Sequence, residues 1–171
     1  GSPYEIGFQH GALLKDSIGT FGLYIIDTIS KQVPGGLEEA WEMAERFIPE
    51  RYKEEMQGVA DGAGISLEEV QAINIVPELF HCSGIVLFGD ATKDGELLHA
   101  RVLDYAVDYE LQNNSIVMVV QPDGYNTFIN AGVAGLIGSV TGMNESQVAF
   151  GEIGGKGDGQ WNGVPMTLLM R

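Results

Sequence analysis

The hydrophobic pattern of this chain changes period once, close to residue 82. Ahead of that point the apolar positions predict helices. Ser2-Pro3-Tyr4-Glu5 has the form of a capping box with proline at the first helical position, and Ile6, Leu13, Leu14, Ile18 and Phe21 then recur at roughly helical spacing. Pro34-Gly35-Gly36 breaks this segment. A second helix is predicted from Leu37 to Phe47, ended by Pro49, and a third from Glu50 to about Ala60, stopped by the glycines of Asp61-Gly62-Ala63-Gly64. Ser66-Leu67-Glu68-Glu69 is another capping box, opening a helix that ends near Pro77.

Beyond Cys82 the pattern becomes that of strands. Ser83 to Phe88 is apolar and β-prone, Asp90 to Gly95 is turn chemistry, and Glu96 to Leu103 reads as the returning strand. A second hairpin pairs Ser115–Gln121 with Asn126–Asn130 across Pro122-Asp123-Gly124-Tyr125. A third pairs Val133–Thr141 with Gln147–Glu152 across Gly142-Met143-Asn144-Glu145. Gly154 to Gly163 is a glycine-rich loop, and Pro165 opens a helix still running at Arg171. So short a helix has no room for a stable amphipathic face, and the expectation is that the chain is part of a longer protein.

Composition narrows the function classes. The 171 residues, 44% of them hydrophobic, suffice for one domain. No apolar run reaches the length of a membrane-spanning helix. The 24 acidic residues against 9 basic ones give a net charge of -15, which disfavours nucleic acid and anionic lipid surfaces as partners. The histidines, His10, His81 and His99, lack metal-ligand spacing, and no metal or cofactor is expected. The phosphate-loop form and Gly-x-Ser-x-Gly are both absent.

The one cysteine excludes an internal disulfide and leaves two roles for Cys82, a small buried hydrophobe or a nucleophile. Its position favours the second. It lies at the switch from helices to strands, and the hairpin that follows returns Arg101 and Asp104. Neighbouring side chains on a strand point to opposite faces, so His81 is poorly placed to be its base. Cleavage between His81 and Cys82 would instead create an α-amino group with an ordinary pKa of roughly 7.7–8.0, suited to take the thiol proton. Asp104 would then hold the ammonium form of the amine, and Arg101 would lower the thiol pKa. Arg101 and Asp104 read equally as a surface ion pair from their spacing alone.

The run from Cys82 to Tyr105, with Arg101-Val102-Leu103-Asp104-Tyr105 at its end, resembles the start of a cysteine-type N-terminal nucleophile (Ntn) hydrolase. The resemblance is to the penicillin acyltransferases, acyl-CoA:6-aminopenicillanic acid acyltransferase and its relatives (peptidase family C45), related in turn to the choloylglycine hydrolases. Their usual form opens with Cys-Thr and closes the hairpin with a Gly-Arg-Asn-Leu-Asp-Trp-like segment; here Ser83, Ala100 and Val102 replace the Thr, Gly and Asn. Ser2 to Gly11 is similar to the Gly-x-x-x-Glu-x-Gly-x-x-His-Gly opening of the acyltransferase precursors, and Gly58 to Gly64 is similar to the segment they carry ahead of the cysteine. Gly142-Met143-Asn144-Glu145 matches a Gly-x-Asn-Glu turn of the wider group.

That resemblance implies an α+β fold, an αββα sandwich of two antiparallel sheets, incomplete in this chain. Residues 1–81 would be a helical pro-segment and residues 82–171 the first part of the catalytic domain. His81–Cys82 would be the autoproteolytic bond and Cys82 the nucleophile, with Asp104 and Arg101 beside it. The implied partners are a small-molecule amide or acyl substrate and the protein's own C-terminal portion or cleaved second chain; a homo-oligomer stays open. Hydrolase and transferase, a lipid acyl hydrolase, a catalytically silent binding protein, and an uncleaved enzyme using His10 or His99 as base all remain open.

Overall fold

The computed structural model describes residues 1–33, 35–79, 82–154 and 161–171. Helices come first and two antiparallel sheets follow, the α+β layout expected. The helices are α1 (Pro3–Leu13), α2 (Lys15–Ser17), α3 (Leu23–Ser30), α4 (Gly36–Glu45), α5 (Glu50–Ala63) and α6 (Leu67–Ile75), with a short α7 (Met166–Leu169) near the end. Both capping boxes form. The Ser2 and Ser66 hydroxyls accept the Glu5 and Glu69 backbone N–H groups, and each glutamate accepts in return from the serine N–H. Gly64 ends α5 in the left-handed conformation at φ +73°, where glycine has no Cβ penalty.

The first segment departs from the single apolar stripe read along it. Leu13 is 82% exposed, and α1 instead buries Gly7, His10 and Gly11. The reason is a close helix crossing. A Cβ on Gly7 or Gly11 would collide with the carbonyls of Glu55 or Val59, and one on Gly58 or Gly62 with those of Tyr4 or Phe8. Two pairs of glycines four residues apart thus let the α1 and α5 backbones touch. Gly62, expected to stop α5, lies inside it for this reason, and α5 runs three residues longer than read. After α2 the chain takes a π-helical turn, Ile18–Gly22, which sends Ile18, Phe21, Ile25 and Ile29 into the core with Met56, Val59, Val70 and Ile75.

Strands β1 (Ser83–Gly89) and β2 (Gly95–Val102) form a hairpin in which Ser83 faces Val102 and Gly84 faces Arg101. Apolar side chains stand exposed on both its faces, among them Phe88 at 67% and Leu97 at 66%. The second sheet has the order β3 (Ser115–Val120), β4 (Phe128–Val133), β5 (Thr141–Asn144), β6 (Ala149–Gly151).

The third hairpin differs from the expectation. Residues 134–140, read as strand, form a buried loop, Thr141–Asn144 is the strand, and the turn moves to residues 145–148. The apolar run that suggested a strand is buried, but side chains of Asn74, Asn130 and His10 take its backbone groups in place of a neighbouring strand. Most of the glycine-rich loop, residues 155–160, lies outside the described residues. Among the described residues no helix is long and apolar enough to cross a membrane.

Candidate active site

Cys82 sits one residue ahead of β1, where the chain leaves the helical half. Its backbone N–H donates to the Ile153 carbonyl (3.1 Å), and Gly84 lies against the Ile153 side chain. The residues just after β6 therefore cross the open end of the β1–β2 hairpin. Gly151 permits this, because a Cβ there would come within 3.1 Å of Arg101 and 3.0 Å of His99.

The crossing brings three side chains together. Arg101 Nη2 donates to Cys82 Sγ (2.5 Å) and to Glu152 Oε2 (2.9 Å), while Nε donates to the Glu152 carbonyl (3.0 Å). Arg101 Nη1 reaches Thr141 Oγ1 at 3.4 Å. The Arg101 and Glu152 side chains are only 5% and 3% exposed, so this is a buried ion pair with a thiol on its flank. Burial pushes the Cys82 thiol up, and the Glu152 carboxylate adds to this; the Arg101 guanidinium and the Asp104 backbone N–H pull the other way. The net effect is a thiol harder to ionise than an ordinary cysteine. Among the described residues Glu152 Oε1 is buried with no hydrogen-bond partner.

Asp104 lies at the same end of the hairpin. Its Oδ2 accepts from the Ser83 hydroxyl (2.5 Å), one residue from Cys82. Sequence reasoning singled out Cys82, Arg101 and Asp104, and the structure brings them together. His81 lies outside the described residues. Glu152 was missed: it falls at the end of an ordinary strand pattern, 51 residues beyond Arg101, and no local motif marks it.

Neither alternative base bonds to the thiol. His99 projects from β2 beside Gly151. His10 Nε2 accepts the Gly135 N–H (3.0 Å) at the seam between α1 and the loop after β4. Burial, aided by the Arg171 charge, pushes His10 down from 6.5 to about 4. The unfolded chain therefore takes up the proton first. The stability this gives is fully present above pH 6.5 and is lost as pH falls toward 4, by about 3 kcal/mol in all. The carboxyl of Glu55, raised by burial, acts in the opposite sense. The His10 effect is therefore to be read as the difference between wild type and His10→Gln in urea unfolding across that range. The variant is expected to show a flatter profile, and parallel profiles would remove His10 as the cause.

A cavity of about 370 Å³ opens beside this cluster, with Arg101 and Thr141 in its wall. The rest of the lining is largely apolar: Phe21, Ile25, Ile73 and Val76 come from the helical half, and Leu103, Ile116, Val133 and Val140 from the residues after Cys82.

Protein dcd1A of Dictyostelium discoideum is 29% identical over 209 aligned positions, covering 100% of this chain and 47% of that protein. Acid ceramidase of Balaenoptera acutorostrata scammoni is 30% identical across 76% of this chain and 34% of its own length. Acid ceramidase of Heterocephalus glaber is 26% identical across 86% and 40%. The link is a distant one, to the Ntn fold. No family model matches the chain. It spans between about a third and a half of the length of these three relatives.

Proposed function

We propose that this chain carries the nucleophile of a cysteine Ntn amidohydrolase or acyltransferase, activated by its own cleavage between His81 and Cys82. The observation that carries the reading is the Arg101 guanidinium resting on Cys82 Sγ while bound to buried Glu152. A guanidinium in that place stabilises a thiolate, and the thiolate is the reactive form.

In the activation step the thiol attacks the carbonyl carbon of residue 81. The C–N bond to Cys82 breaks, the nitrogen takes the proton, and a thioester forms. Water cleaves the thioester, leaving a carboxylic acid on His81 and a free α-amine on Cys82. That amine is the base the uncut chain lacks, and Asp104, whose carboxylate accepts from the neighbouring Ser83, would hold its charged form. In turnover the amine takes the thiol proton, Sγ attacks the acyl carbonyl of a linear amide, and the leaving amine departs with that proton. Water or an acceptor amine then releases the acyl group from sulfur. Residues 1–81 act as the pro-segment, and the penicillin acyltransferases and choloylglycine hydrolases are the resembling chemistries.

The cavity favours substrates with an apolar acyl group, because its walls are largely hydrocarbon while Arg101, which donates to Cys82 Sγ, stands in its wall. Similarity to acid ceramidases supports an N-acyl lipid within that class. The test is a panel of linear N-acyl amides of increasing chain length, offered to the full-length protein before and after treatment with iodoacetamide. Hydrolysis that rises with chain length and stops on alkylation of Cys82 is expected. Turnover indifferent to alkylation, or none on any amide with an alkylatable Cys82, would contradict the reading and favour the silent binding protein.

A further inference from the structure

The loop after β4, residues 134–140, links the helical half to the cluster at Cys82. It carries no strand, yet every residue from Ala134 through Val140 is buried. Asn74 on α6, itself fully buried, grips it. Asn74 Oδ1 accepts from the N–H groups of Ile137 (2.9 Å) and Gly138 (3.4 Å), and Nδ2 donates to the carbonyls of Gly135 (3.0 Å) and Val70 (2.9 Å). His10 accepts the Gly135 N–H, and Asn130 donates to the Gly138 carbonyl while accepting from the Ser139 hydroxyl. At the far end the Val140 carbonyl accepts the Glu152 N–H (2.9 Å), and the next residue, Thr141, meets Arg101.

We propose that Asn74 is a positioning residue for Cys82, holding residues 134–140 in the place where Val140 and Thr141 set Glu152 and Arg101 against the thiol. The proposal rests on Cys82 being the nucleophile. Asn74 makes four hydrogen bonds, which uses the whole capacity of a side-chain amide. One returns to its own helix and three go to the loop. An asparagine serving α6 alone would need only the first. Every link from Asn74 to Arg101 is a hydrogen bond or a step along buried backbone, so a shift of the loop is carried to the guanidinium and not absorbed by solvent. Misplacing a catalytic group by about 1 Å costs on the order of 100-fold in rate.

The experiment compares full-length wild type, Asn74→Leu and Asn74→Asp. Its readouts are the rate of cleavage at Cys82 by intact mass, the pH profile of Cys82 alkylation read within one species, cut or uncut, and the thermal midpoint. Asn74→Leu is expected to cleave about 100-fold more slowly. In the uncut species its alkylation midpoint is expected to fall toward the ordinary cysteine value, because Glu152 and the burial it shares with the thiol are released. Asn74→Asp, neutral when buried and still accepting from Ile137 and Gly138, is expected to keep most of the wild-type behaviour. A lowered thermal midpoint with unchanged cleavage and alkylation would overturn the proposal, as would an Asp variant no better than Leu. Should Asn74→Leu not fold, Ser139→Ala removes one of the two bonds between Asn130 and the same loop without touching α6, and the same two changes are expected on a smaller scale; their absence overturns the proposal. A wild-type protein that stays uncut would count against the enzyme reading instead, while the alkylation profiles still report on the loop.

Discussion

An Arg101→Met protein is expected to lose both stability and the reactivity of Cys82. Arg101 is the cation paired with the Glu152 carboxylate, and both side chains are buried. Removing one partner of such a pair leaves the other charge uncompensated, at a cost of about 3–5 kcal/mol. The same change removes the cation that lowers the Cys82 pKa, so the thiol moves still further from ionising. Urea unfolding measures the first effect and the pH profile of alkylation the second. The double variant Arg101→Met with Glu152→Met separates them. Replacing a whole buried pair with hydrocarbon is often neutral or better for stability, so the fold is expected to recover while cleavage at Cys82 does not. A double variant that regained cleavage would take Arg101 out of the chemistry.

Gly7→Val is expected to separate α1 from α5. A Cβ on Gly7 meets backbone atoms, the Glu55 carbonyl first, so no side chain can turn aside to admit it. Overpacking of this kind costs about 1–3 kcal/mol and more where the backbone itself must move. Moving α1 also withdraws His10 from Gly135. The thermal midpoint is expected to fall sharply. Gly19→Ala is the contrast, because a Cβ there meets nothing within 4 Å. That substitution is expected to raise stability by about 0.5–1 kcal/mol, since alanine loses less backbone freedom in a helix. Equal effects at the two glycines would show that the close crossing does not hold the helical half together.

These glycines mark where the sequence misleads. A helix packed through glycine has no apolar stripe, so a pattern search follows Leu13 out into solvent and passes over Gly7 and Gly11. The motif Glu5-Ile6-Gly7-Phe8-Gln9-His10-Gly11 looks like chemistry and is largely packing, with His10 as the polar member of the seam. The loop 134–140 misleads in the opposite way. Its apolar residues are buried as a strand's would be, but side chains distant in sequence, Asn74, Asn130 and His10, take several of its backbone groups. What was legible rests on local rules: the two capping boxes, the glycine that closes α5, the turns of the first two hairpins, and a cysteine whose hairpin partner returns an arginine to it. Glu152 was not legible, because its meeting with Arg101 is set by how β6 crosses β2 and by nothing near it in the chain.

The measurement that bears most directly on Cys82 as a self-activating nucleophile is the intact mass of freshly purified full-length protein beside a Cys82→Ala control. Two fragments dividing between His81 and Cys82 in the wild type, with the control uncut, is the expected result. A single uncut mass in both proteins, with Cys82 free to react with iodoacetamide, would contradict the account.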